Sequence, residues 1–169
     1  MKSVLRYTAA GVALATLGFA SNASAATAQA NAQAQILASL TVVLDSNTTR
    51  DSLTFGSIAE SGSGGTVTLT TANVRTCSAG LLCSGTTEVP QFNITGAANA
   101  PIAISFVSNT IPLTGPGAPM NVDLTASVNN TNLSAGGTAN FTVGGLLTVG
   151  AGQVAGTYTG QVNVNVLYN

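Results

Sequence analysis

The chain of 169 residues contains no histidine and no tryptophan, and it carries only four Lys or Arg and five Asp or Glu. Without histidine, a serine nucleophile lacks its usual base and a metal lacks its commonest nitrogen ligand. Lys2 is the single lysine, so no later lysine can take over as a base. The five carboxylates, Asp45, Asp51, Glu60, Glu88 and Asp123, are scattered and none is paired at the short spacing that acid–base work favours. The chain therefore reads as a non-enzyme that needs no cofactor and no metal. Ser61-Gly62-Ser63-Gly64-Gly65 has no lysine after it and reads as a flexible turn, not a phosphate loop. Sugar sites usually rest on aromatic platforms, and beyond residue 25 the chain offers only Tyr158, Tyr168 and phenylalanines that alternate toward a core.

Low charge excludes further classes. Beyond residue 25 the only cations are Arg50 and Arg75, against five anions, a net charge of about −3. Nucleic-acid binding needs clustered cations and is excluded on that ground. Thr, Ser, Asn and Gln do the hydrating, a composition suited to close-packed assemblies. One apolar run, Thr8 to Phe19, follows the basic Lys2 and Arg6 and precedes Ala23-Ser24-Ala25. It is too short for a helical membrane span, and the small residues after it match the needs of signal peptidase. Residues 1–25 are expected to be a cleaved signal peptide, which would send the rest to the periplasm and outside the cell, with no membrane insertion afterwards.

About 144 residues then remain, the size of one domain. Cys77 and Cys83, separated by five residues, read in an exported chain as a disulfide closing a small loop. The prevailing periodicity is two, the mark of strands with one buried face. Val67 and Leu69 alternate, as do Phe92 and Ile94, and Ile102, Ile104 and Phe106. Met120, Val122, Leu124, Ala126 and Val128 share a face, and so do Phe141, Val143, Gly145, Leu147 and Val149. Turn-forming clusters at Gly62–Gly65, Gly96–Pro101, Pro112–Pro119, Asn129–Gly137 and Gly150–Gly156 separate these runs. The pattern predicts an all-β Greek-key sandwich over residues 37–169.

Two runs stand out. Ala28, Ala30, Ala32, Ala34, Ile36, Ala38, Leu40, Val42 and Leu44 alternate with mostly polar residues. Fully extended they would cover ~55 Å, more than one small domain can pair. Such a strand either bends between sheets or projects from its domain; an Ala/Gln-rich tail with coincidental alternation is the other reading of residues 26–35. Near the C-terminus, Tyr158, Gly160, Val162, Val164, Val166 and Tyr168 face one way, with Thr159, Gln161, Asn163 and Asn165 facing the other, and the run reaches almost to Asn169.

These two runs make the sequence resemble the subunits of chaperone-usher fimbriae. In that family an immunoglobulin-like sandwich lacks its last strand, and an apolar groove lies open beside the C-terminal strand. The resemblance thus implies an incomplete immunoglobulin-like sandwich here, completed by a donor strand. The family pattern has a penultimate aromatic and a glycine fourteenth from the end; here these are Tyr168 and Gly156. A second resemblance is to a bacterial family of exported proteins, a domain of unknown function, related to such subunits. It is carried by Leu53-Thr54-Phe55-Gly56-Ser57-Ile58, Gly65-Thr66-Val67, Phe92-Asn93-Ile94-Thr95-Gly96, Phe141 through Val149, and Gly156-Thr157-Tyr158-Thr159-Gly160 through Tyr168-Asn169.

The resemblance implies a fimbrial subunit assembled by donor-strand exchange and serving adhesion or biofilm. Its partners would be a periplasmic chaperone, an outer-membrane usher and copies of itself. Residues 26–36 would be the donor extension, with Ala28, Ala30, Ala32, Ala34 and Ile36 facing the groove; a register using Ile36, Ala38 and Leu40 is the alternative. Gly156, Tyr158, Gly160, Val162, Val164, Val166 and Tyr168 would mark the acceptor strand. An isolated subunit is then expected to expose Val162, Val164 and Val166. The competing expectation is a self-contained secreted or cell-surface sandwich with a binding or matrix role, whose N-terminal strand closes its own sheet.

Overall fold

A computed structural model describes residues 27–46 and 50–169. The expected signal peptide, with Lys2, Arg6 and the site after Ala25, lies outside the described residues. Ile36–Asn169 forms one compact unit. Thr27 to Gln35 belongs to a separate unit, and its described residues are exposed and carry no regular secondary structure.

The compact unit is all-β, with several antiparallel sheets in a sandwich-like arrangement. Its first half holds β1 (Thr41–Leu44), β2 (Ser57–Glu60), β3 (Gly65–Leu69), β4 (Arg75–Cys77), β5 (Leu81–Ser84) and β6 (Gln91–Thr95). The second half adds β7 (Pro101–Phe106), β8 (Thr110–Leu113), β9 (Met120–Ala126), β10 (Asn130–Asn132), β11 (Thr138–Val149) and β12 (Val164–Tyr168). β11, at 12 residues, is the spine of the larger sheet. Its first part pairs with β6, which also carries β1, and its second part lies between β9 and β3. β7 is the middle strand of a three-stranded sheet, with β10 on one edge and β12 on the other. β2 and β5 form a separate two-stranded ribbon.

The alternation explains the core. Val67, Ile94, Ile102, Val122 and Val143 are fully buried, and Leu69, Phe141 and Leu147 nearly so. Phe92 and Phe141 face each other in register across β6 and β11 and stack with ring centroids 5.2 Å apart. Gly145 fills the inward position predicted for it and is buried. Two turn assignments shift. Pro112 lies inside β8 and Asn130–Asn132 form β10, both segments expected as loop. Among the described strands β8 pairs with β9 alone, the edge setting in which proline is tolerated.

Strands β7 to β10 form one bent hairpin. The pairs Pro101↔Asn132 and Leu113↔Met120 lie on a single register, so 101–113 and 120–132 are its two arms. The outer part of each arm belongs to the larger sheet and the inner part to the smaller one. Between them the arms separate. The gap is bounded by Ile104 N–H donating to the Asn129 carbonyl and Leu124 N–H donating to the Asn109 carbonyl, both at 2.7 Å.

Candidate functional site

The C-terminal run is not one strand. Thr159 exchanges two backbone hydrogen bonds with Thr114, of 2.8 and 2.9 Å, next to β8 in the larger sheet. Five residues on, β12 pairs with β7 in the smaller sheet. The segment therefore crosses between sheets around Gly160. A Cβ there would stand 2.7 Å from the Pro112 carbonyl oxygen, so the close approach at this corner requires glycine. Gly156 has a φ of 151°, and a Cβ on it would meet Pro116 Cγ at 2.5 Å. Both glycines of the predicted run thus permit backbone paths closed to other residues.

Among the described residues β12 leaves one edge open. Val107 N–H donates to Asn163 O and Asn169 N–H donates to Pro101 O. Antiparallel alternation then directs the backbone groups of Asn165 and Leu167 toward β7, and those of Val164, Val166 and Tyr168 away from it. Among the described residues no other strand pairs with that second edge. Its side chains are less open than expected. Val166 is 8% exposed and belongs to the core, while Val162 and Val164 are half-buried against it. The expectation that all three are exposed fails because the alternating face of β12 packs on its own sandwich. What lies open is backbone. The exposed apolar residue of β12 is Leu167, on the polar face.

Both tyrosines of the run act as latches. Tyr168 Oη accepts a hydrogen bond from Ala97 N–H and donates one to the Ala38 carbonyl, each 2.7 Å long. This ties the approach to β1, the β6–β7 turn and β12 together at one point. Any side chain at Gly96 would collide with that hydroxyl. Tyr158 lies against Gly115 and Gly117, and its hydroxyl donates to the Val154 carbonyl at 2.8 Å.

The N-terminal run divides differently. Ala28, Ala30, Ala32 and Ala34 are exposed and outside any strand, and Ile36 is 96% exposed. Pairing begins at Thr41, where β1 joins β6, and Leu40 and Val42 pack against the core. The phase of the alternation then changes. Asp45 is 9% exposed although its position is one of the polar ones. Its amide donates to Gln91 O at 2.8 Å, and Gln91 Nε2 donates to Asp45 Oδ2 at 3.0 Å. Arg50 Nη1 reaches the same Gln91 through Oε1 at 3.3 Å. Sequence reasoning missed this cluster; its one signal was an acid at the end of an otherwise apolar, strand-forming run.

Other carboxylates hold loops. Glu60 accepts from Gly64 N–H at 2.9 Å and Gly152 N–H at 3.1 Å, joining two turns. Glu88 accepts from Asp51 N–H at 2.7 Å and Ser52 N–H at 3.2 Å. Asp123 accepts from the Thr110 hydroxyl on the neighbouring strand at 2.5 Å. Among the described residues no group of three His, Cys, Asp or Glu is placed to hold a metal ion. Cys77 and Cys83 form the disulfide. Because β4 pairs with β3 and β5 with β2, it staples the ribbon to the larger sheet.

Residues 44–168 match a family described as Domain of unknown function (DUF4402). No curated protein and no solved structure matches.

Proposed function

Because the chain belongs to the DUF4402 family, whose role is undefined, we propose its function from its own geometry: it is a structural subunit of an extracellular fimbria, assembled by donor-strand exchange and serving adhesion or biofilm. The observation that carries this is the open edge of β12, where the N–H and C=O groups of Val164, Val166 and Tyr168 face away from β7. An edge of this kind is a template for an added strand. Main-chain hydrogen bonds supply affinity in such complexes and alternate side chains supply selectivity. The donor is the extension at residues 26–36 of another copy. Its alanines bury little, so backbone pairing contributes most, and Ile36 is the bulkiest apolar residue it offers. A periplasmic chaperone would cover the same edge before assembly, and an outer-membrane usher would deliver the subunit.

The burial of Val166 and the Tyr168 latch favour a second reading, a self-contained surface module that needs no donor. Electrophoresis with and without boiling, together with negative-stain microscopy of protein from its native host, separates the two. Filaments and a ladder that collapses only on boiling are expected for the polymer. A monomer under both conditions supports the module. Deleting residues 26–35 is expected to leave a subunit that accepts a strand but donates none, and normal polymers from that variant would overturn the donor assignment.

A further inference from the structure

The gap in the bent hairpin is a cleft of about 440 Å³ between β7 and β9. That volume lies within the range of small-molecule sites. It is lined by Ser105, Thr125, Asn109 and Asn129, of which Ser105 donates its hydroxyl to the Asn165 carbonyl of β12 at 3.5 Å. The two amide side chains make no hydrogen bond among the described residues. Backbone groups converge on the same space. Val107 is hydrogen-bonded to Asn163 and Ser127 to Thr142, so alternation turns the N–H and C=O of Phe106 and Ala126 away from those partners and into the gap. Ile104 and Leu124, both buried core residues, line its apolar base, and Phe106 is half-buried against the same core.

We propose that this cleft binds a neutral, polyhydroxylated ligand of mono- or disaccharide size. Among the described residues no ionisable side chain lines it, so no opposite charge rewards a charged ligand. Backbone and amide groups present donors and acceptors side by side, and a hydroxyl, which both donates and accepts, satisfies either kind. The apolar base suits the C–H groups of a sugar; Phe106 packs against the core, as its alternation predicts, so recognition rests on the hydrogen-bonding groups and not on an aromatic platform. The hydrogen bonds that bound the gap at both ends prevent an extended strand from lying along it, so the occupant is compact. The cleft opens on the edge of β7 opposite β12, and a strand added to β12 leaves it accessible. The inference is thus independent of the assembly reading.

Calorimetric titration of the full chain with glucose, methyl α-mannoside, N-acetylglucosamine, lactose and cellobiose tests it, with hydrogen exchange locating the site. Saturable binding of at least one sugar is expected, with slowed exchange in peptides containing Phe106 and Ala126. Asn109→Ala with Asn129→Ala is expected to weaken binding about tenfold and to leave the melting temperature unchanged. Thr125→Val, a milder change, is expected to weaken it less. Absence of saturable binding by all five sugars overturns the proposal. So does binding that survives in both variants, or equal binding of glucuronate.

Discussion

The two alternating runs share a period and differ in bulk, and their fates diverge accordingly. From Ala28 to Ala34 the repeating residue is alanine, and this stretch is exposed and carries no strand. From Val162 to Val166 it is valine, and the run contributes to the core and forms β12. Alternation sets which side chains share a face; burial of those side chains decides whether a strand forms within the domain. An alanine buries a fraction of the ~1.5–3 kcal/mol that a valine or leucine gains, too little to offset the ordering of each residue's backbone, which costs ~1–2 kcal/mol. A chain of that composition pairs only where an existing sheet edge supplies the hydrogen bonds.

The same acidic substitution placed in each run gives the widest contrast. Val166→Asp buries an unpaired carboxylate and is expected to cost at least about 3–5 kcal/mol, read as a lowered urea midpoint or failure to fold. Removing the staple between ribbon and sheet comes next: Cys77→Ser with Cys83→Ser is expected to cost about 2 kcal/mol for so short a loop, with fast exchange confined to β2 and β5. Tyr168→Phe breaks both latch bonds and leaves the Ala97 N–H without its partner, a loss of about 1.5 kcal/mol, checked by denaturation and by faster exchange at Ala97. If Tyr168→Phe proves neutral, the latch contributes nothing and the C-terminal run is held by its pairing with β7 and the packing of its valines. Smallest is Ala32→Asp, expected within ~0.5 kcal/mol of wild type. A large effect there would mean that the alanine run is packed, and the contrast between the runs would collapse.

Much of the sandwich was legible because its strands bury one face. Val67, Leu69, Phe92, Ile94, Val122, Phe141, Val143 and Leu147 all occupy the inward positions that alternation assigned them. The Cys77–Cys83 disulfide was legible as an even, closely spaced pair in a chain expected to be exported, with no histidine or second cysteine pair to make a metal site. The candidate site was less so. The C-terminal run reads as continuous, yet it changes sheets at Gly160, because a glycine that permits a 2.7 Å approach looks the same in sequence as one in a plain turn. Val166 was expected to be exposed and is buried, since alternation says which residues share a face but not what covers it.

Composition and periodicity by themselves determined the class of the chain: few charges, no histidine, strands of period two and glycine-rich turns admit an all-β sandwich. Tertiary structure alone decided the rest. The shared register of residues 101–113 and 120–132, the cleft where those arms part, and the edge of β12 all depend on residues distant in sequence. So does the Tyr168 hydroxyl, which reaches Ala38 across 130 positions. The physical reason is that hydrophobic burial is non-directional and readable from one residue's neighbours, whereas a backbone hydrogen bond has a single partner that only the folded chain selects.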